Sequence, residues 1–248
     1  MNREPYMMRG VTLWACLLAL AAGLAGTAGV FVYAQYGSAL LTRGDSGVSR
    51  LFVGEAERMG NAGDVEQALA LYEKAFQAGF SFPPDKSRAL TLKGLLLWRH
   101  GRVRDAADTL SAAVAGSSPN FGGAQSLVEA LLHLKRLDEA QMVVRRWAEA
   151  LGDSATPQAR AEMLYCAGRV AQERGEATAA RSAYEESAAL VPGNLAEYQI
   201  GVLCAEAGGI AAARRHFERF LLGGASGAEA AKARERLRSL EAAPPTPK

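Results

Sequence analysis

Few residues in this chain have the types and spacing that chemistry needs. The histidines are His100, His133 and His216 and the cysteines Cys16, Cys166 and Cys204, with no CxxC and no histidine at metal-ligand spacing. Each histidine falls beside a turn or on a charged face, where a solvated imidazole is expected. No nucleophile, base and orienter can be assembled from them. Cys16 sits in an apolar run and the other two in expected helices, so all three read as small buried thiols that stay unbridged. The glycines lie at helix turns with no strand before them, which gives no phosphate-binding loop. The expectation is a non-enzyme with no catalytic residue, no metal and no cofactor. With 28 basic and 26 acidic side chains the formal charge is +2. A nucleic-acid binder is expected to be more basic than this.

The elements behind these residues announce themselves by repetition. A turn residue, an alanine five positions on and a bulky apolar residue four further return as Gly63/Ala68/Tyr72, Gly101/Ala106/Leu110, Lys135/Ala140/Val144, Gly175/Ala180/Tyr184 and Gly208/Ala213/Phe217. Successive alanines stand 38, 34, 40 and 33 residues apart. A period in that range marks a stacked array of helix pairs. The composition, 49% hydrophobic with 7% aromatic, suits many small helix contacts better than one large core.

Here the sequence resembles the tetratricopeptide repeat family. The clearest unit, 161–194, carries Leu164, the small pair Ala167 and Gly168, the turn Gly175, then Ala180, Tyr184 and Pro192. The next repeats it through Gly201, Gly208, Ala213 and Phe217, and the two earliest keep Ala56 or Gly94, the turn glycine, the alanine and a closing proline. The third, Phe121 to Leu151, is the most degenerate, with Lys135 for the turn glycine and Val128 for the small residue. Small residues are expected where paired helices cross, Gly94, Gly168 and Gly201 meeting Ala106, Ala180 and Ala213. Aromatics are expected to fill the space between successive pairs. Asp64 is expected to cap the second helix of its unit.

The resemblance implies an all-α fold, a right-handed superhelical α-solenoid of about five helix-turn-helix units spanning 49–223. A polar-backed capping helix over 224–242 and a disordered tail over 243–248 follow. It also implies a concave groove lined by the first helix of each unit. That places Arg88, Thr91, Leu95, Trp98 and Arg99 in the groove, then Gln125, Glu129, Leu132 and His133. Glu162, Tyr165, Arg169 and Glu173 follow, with Tyr198, Val202 and Glu206 last. The partner-binding residues expected from this set are Arg88, Trp98, Arg99, Gln125, Glu129, His133, Glu162, Tyr165, Arg169 and Tyr198, because arginine and aromatic side chains dominate protein hot spots. Packing between helices is the alternative role for Trp98, Tyr165 and Tyr198. Family members that clamp a partner's terminal carboxylate use lysine and asparagine where this chain has Val53, Glu57, Thr91 and Leu95, so that subclass is excluded. Charge is uneven, with five acids against two bases over Phe52 to Phe82 and eight bases against four acids over Arg214 to Lys248.

Ahead of the array, Val11 to Tyr33 runs 23 residues without a charge. A helix of that length spans a hydrocarbon core of about 30 Å. Trp14, Tyr33 and Tyr36 suit its interfaces, and Arg3 and Arg9 before it place residues 1–10 in the cytoplasm and the array across the membrane. A linker over 34–48 would join the two. The competing reading is a signal peptide cleaved near Ala34, although its apolar region would exceed the usual 7 to 15 residues or so. The function expected is a scaffold at a bacterial inner membrane, with a periplasmic array binding a partner peptide or helix. Self-association through the outer surface is the alternative.

Overall fold

A computed structural model of the chain describes residues 46–116, 120–152 and 155–242. The expected N-terminal stretch 1–10, the span at 11–33 and the tail at 243–248 lie outside these residues. Among the described residues no helix is long and apolar enough to cross a membrane. They form helices throughout, in five antiparallel pairs and a last single helix. The pairs are α1 (Ser46–Ala62) with α2 (Val65–Ala78), α3 (Pro83–Arg99) with α4 (Val103–Val114), and α5 (Phe121–His133) with α6 (Leu137–Leu151). Then come α7 (Pro157–Glu173) with α8 (Ala177–Leu190), α9 (Leu195–Glu206) with α10 (Ile210–Leu222), and the capping helix α11 (Gly227–Ala242). Each pair packs on the next, as a solenoid requires. The expected linker over 34–48 lies outside the described residues except at 46–48, which are helical.

Every pair turns by the same device. The N–H of the turn residue bonds back three residues and the N–H of the next bonds back five, for example Gly175 to the Gln172 carbonyl at 3.0 Å and Glu176 to the Ala171 carbonyl at 2.9 Å. This is a Schellman motif, and it needs one left-handed residue. Lys135 supplies it in the third unit at φ 58°, in the same geometry as the four glycines. That unit keeps the turn of the others despite its departure from the sequence pattern. Asp64 sits at the start of α2 but its side chain makes no capping bond. The first N–H of α2, that of Val65, donates instead to the Gly63 carbonyl at 3.0 Å. Two prolines open a helix instead of closing a unit: Pro83 and Pro157 stand at the first position of α3 and α7, where a fixed φ and a missing N–H cost nothing, while Pro192 lies in a closing loop as expected and Pro119 lies outside the described residues.

Gly94 does meet the Ala106 backbone, whose carbonyl oxygen lies 3.5 Å from a Cβ placed on it, but the nearest neighbour of Gly94, Gly168 and Gly201 alike is a bulkier residue. A Cβ on Gly168 would stand 2.5 Å from the Tyr184 ring, on Gly201 2.8 Å from the Phe217 ring, and on Gly94 2.6 Å from Leu110. The glycine thus faces the bulky residue four after the alanine, and the aromatic packs inside its own pair. In the third unit Val128 and Val144 take those two registers, both buried. A larger residue on one helix goes with a smaller one on the other.

Serine and asparagine fasten the far ends. The Ser87 hydroxyl donates to the Ala113 carbonyl at 2.6 Å, and the Ser187 hydroxyl donates to the Ala161 carbonyl at 2.7 Å, so the serine occurs on either helix of the same crossing. Asn120 and Asn194, which cap α5 and α9, donate to these serines at 2.7 and 2.9 Å and so tie each unit to the one before.

Two outcomes follow. Gly168→Ala forces a methyl against the Tyr184 ring and should lower stability by about 2 kcal/mol. Lys135→Gly relieves a left-handed side chain and should raise it by about 1 kcal/mol. Urea unfolding midpoints at constant slope read both.

Candidate functional site

The first helices α1, α3, α5 and α7 pack side by side, so their free sides form one continuous face. Of the expected groove residues, Arg88, Arg99 and His133 are exposed there, and Thr91, Leu95, Trp98, Gln125, Glu129, Glu162 and Arg169 are half-buried. Trp98 meets the edge of the His133 ring, centroids 5.4 Å apart, which joins the second and third units. Tyr165 and Tyr198 are buried, each 8% exposed, with their rings on Tyr184 and on Phe217 and Phe220. Packing is therefore their role in this structure. Leu132 and Val202 are buried too, and Glu206 is exposed.

The middle of the face is self-satisfied. Arg169 donates to Glu129 at 3.0 Å across the boundary between the third and fourth units, and to the Tyr165 hydroxyl at 3.3 Å. Lys135 donates to Glu173 at 2.6 Å across the same boundary. Burial raises the Glu129 carboxyl above its ordinary value, and the Arg169 charge offsets this only in part. Burial pulls the Arg169 guanidinium downward, yet Glu129 and the Tyr165 hydroxyl outweigh it and hold the group above its usual value. Beneath them the Cys166 thiol is pushed far up by burial and by the Glu129 charge, which leaves it inert. Cys166 and Cys204 are both free and buried, and among the described residues no three His, Cys, Asp or Glu side chains converge as metal ligands.

One pair escaped the sequence reading. His216 is not solvated: its ring lies 2.6 Å, Nδ1 to Oε2, from the carboxylate of Glu197, which is 4% exposed. A carboxylate only accepts, so Nδ1 carries the hydrogen. The signal was present in the repeat register, since Glu197 occupies the position held by Phe52, Leu90, Ala124 and Leu164 in the other units. A cleft of 490 Å³ opens beside it, lined by Ala188, Pro192, Gly193, Glu197, Arg219, Leu222 and Gly223. Its rim is set by two glycines in backbone contact, a Cβ on Gly193 meeting the Gly223 Cα at 2.6 Å.

Comparison with known proteins agrees with this architecture. The tetratricopeptide repeat family model matches residues 55–121, the first two units. Among solved structures, a tetratricopeptide repeat protein of Thermus thermophilus, TTC0263, is 20% identical with a TM-score of 0.59, over 78% of this chain and 98% of its own. Pseudomonas aeruginosa pilF is 19% identical with a TM-score of 0.57, over 78% of this chain and 88% of its own. PilW, described as a widely conserved type IV pilus biogenesis factor, is 18% identical with a TM-score of 0.57, over 79% of this chain and 91% of its own. No curated protein sequence matches significantly.

The Glu129 and Arg169 pair makes a testable statement about pH. A carboxyl whose folded pKa is raised above the unfolded value of about 4.5 favours folding most when protonated, and that contribution is lost as pH rises through the folded value. Arg169→Met removes the counter-charge and leaves the carboxylate buried alone. It should cost on the order of 2 kcal/mol at pH 7 and clearly less at pH 4.5, read by chemical unfolding at the two pH values.

Proposed function

We propose that this chain, a tetratricopeptide-repeat protein, is a membrane-anchored scaffold that holds a peptide or helix of a partner protein on the face of its first helices. The observation that carries this reading is at the second unit: Arg88 and Arg99 are exposed on that face and make no hydrogen bond or ion pair with any described residue. Arginine is the residue type that protein interfaces favour at their hot spots. Half-buried Trp98, Leu95 and Gln125 lie beside them and give apolar and amide surface to the same partner. The self-paired Glu129, Arg169 and Tyr165 make a preformed floor, which lowers the ordering cost of binding.

The uncharged run of 23 residues from Val11 to Tyr33 supports anchoring, and Arg3 and Arg9 ahead of it support an array outside the cytoplasm, in an envelope-associated process. At 18–20% identity the solved neighbours carry the fold and not the pathway.

A photoreactive amino acid at Arg99 or Gln125 should crosslink the partner in cells, whereas one at Met142, exposed on α6, should not. Adducts from Met142 alone would assign binding to the outer surface. Alkaline phosphatase fused after Lys248 should be active and a cytoplasmic-only reporter dark; the opposite result overturns the topology.

A further inference from the structure

The first helices repeat in register, so each residue of α3 has a counterpart on α1, 38 positions earlier, on α5, 34 later, and on α7, 40 beyond that. Arg88, Leu95 and Arg99 form one stripe down α3, because the eleven residues from end to end make about three helical turns. Leu92 on one side of the stripe packs with the first unit, and Trp98 on the other side packs on His133 of the third. The stripe between them stays open. Both arginines are exposed and make no hydrogen bond or ion pair with any described residue, and Leu95 is half-buried.

Charge around the stripe is uneven. The counterparts of Arg88 on the two flanking helices are Arg50 and Gly122, and those of Arg99 are Asn61 and His133, with no acid among the four. Asp85, one turn before Arg88, already accepts two bonds from Arg50, at 2.9 and 2.7 Å. Beside Leu95 the counterparts are instead Glu57 and Glu129, both half-buried. Glu129 holds Arg169, and Glu57 makes no ion pair with a described residue. At the fourth unit the sign of the outer positions reverses, since Glu162 and Glu173 stand where Arg88 and Arg99 do. Two unpaired cations therefore bracket an apolar position that acids flank.

We infer that the second unit takes an extended segment of the partner polypeptide in which an acid, an apolar residue and an acid stand at alternate positions. This rests on the groove reading of the same face and gives the partner its chemistry. Eleven residues set Arg88 and Arg99 about 16 Å apart along α3. In an extended chain alternate side chains share one face, so two acids four residues apart stand about 13 Å apart with the residue midway pointing the same way. The long arginine side chains close the difference. Each carboxylate accepts a charge-assisted bond from one guanidinium, and the apolar side chain rests on Leu95. An acid at the centre would instead meet Glu57 and Glu129, and a long acidic run would reach Glu162 and Glu173. The face thus rejects both, and selects a short acidic segment with an apolar middle.

The test is calorimetric titration of the full chain, in neutral detergent, with three peptides. Acetyl-Glu-Ser-Leu-Ser-Glu-amide should bind at one saturable site, about tenfold tighter than acetyl-Gln-Ser-Leu-Ser-Gln-amide or the rearranged acetyl-Leu-Ser-Glu-Ser-Leu-amide. Arg88→Gln and Arg99→Gln should each weaken the first peptide about tenfold, and Arg215→Gln, an exposed base on α10, should leave it unchanged. Glu57→Gln should improve binding of the peptide with the central acid severalfold. No saturable heat, equal binding of the three peptides, or an equal response from Arg215→Gln would overturn the assignment. If the partner still crosslinks from Arg99 in cells after such a result, the face binds a segment of other chemistry and the groove reading stands; if crosslinking is absent too, both fall.

Discussion

Everything in this molecule hangs on the distance at which two paired helices cross. Gly168, Gly201 and Gly94 leave no side chain at the crossing, and Tyr184, Phe217 and Leu110 lie straight against the bare backbone. The ring and the glycine are complementary halves of one contact, because a well-packed interior has no slack for another methyl. The left-handed turn residue fixes which residues meet, seven before it on one helix and nine after it on the other. Turn and contact are therefore a single constraint in the second, fourth and fifth units, while the first has Ala56 at the glycine register with Tyr72 at the aromatic one, both buried. The unit that looks most degenerate obeys it by exchanging volume, with Val128 at the glycine register and Val144 at the aromatic one.

That constraint closes only the turn end of each pair. At the open end the chain relies on hydrogen bonds, Ser87 to the Ala113 carbonyl and Ser187 to the Ala161 carbonyl, each joined by the asparagine that caps the next unit. Apolar packing sets how the helices cross, and these polar ties set where the next pair begins. Ser187 is fully buried, so an unmade bond there would leave a desolvated hydroxyl without compensation.

The repeat architecture was legible because its signals are periodic: turn residue, alanine and bulky residue recur at fixed offsets, and all five pairs fall where those offsets put them. The contact between Gly168 and Tyr184 was not, since offsets say which residues recur and not which ones touch. The serine ties were hidden for a related reason, as the serine changes helix between the second and fourth units. Among the candidate recognition residues, sequence placed Tyr165, Arg169 and Tyr198 on the first helices, but burial of both rings and the bond from Arg169 to Glu129 depend on the neighbouring unit. Glu197 was overlooked although it breaks the register; an acid between alanine and tyrosine is ordinary in a helix until the other four units are laid beside it.

These placements divide the first-helix face by what its side chains still have to offer. Arg169 is already paired with Glu129, partly shielded from water, and Glu173 with Lys135 at the exposed surface, so a partner reaching the middle of the face would have to displace existing ion pairs. Such pairs give back little when exchanged for others of the same kind. Arg88 and Arg99 carry no such debt, and Trp98 keeps part of its surface open beside them. On the proposed reading, a partner's specific contacts would concentrate at the second unit, with the third and fourth contributing shape. In a scaffold of similar units, selectivity would arise in this way: the repeated contacts fix the surface, and the charges left without a neighbour would decide what it can hold.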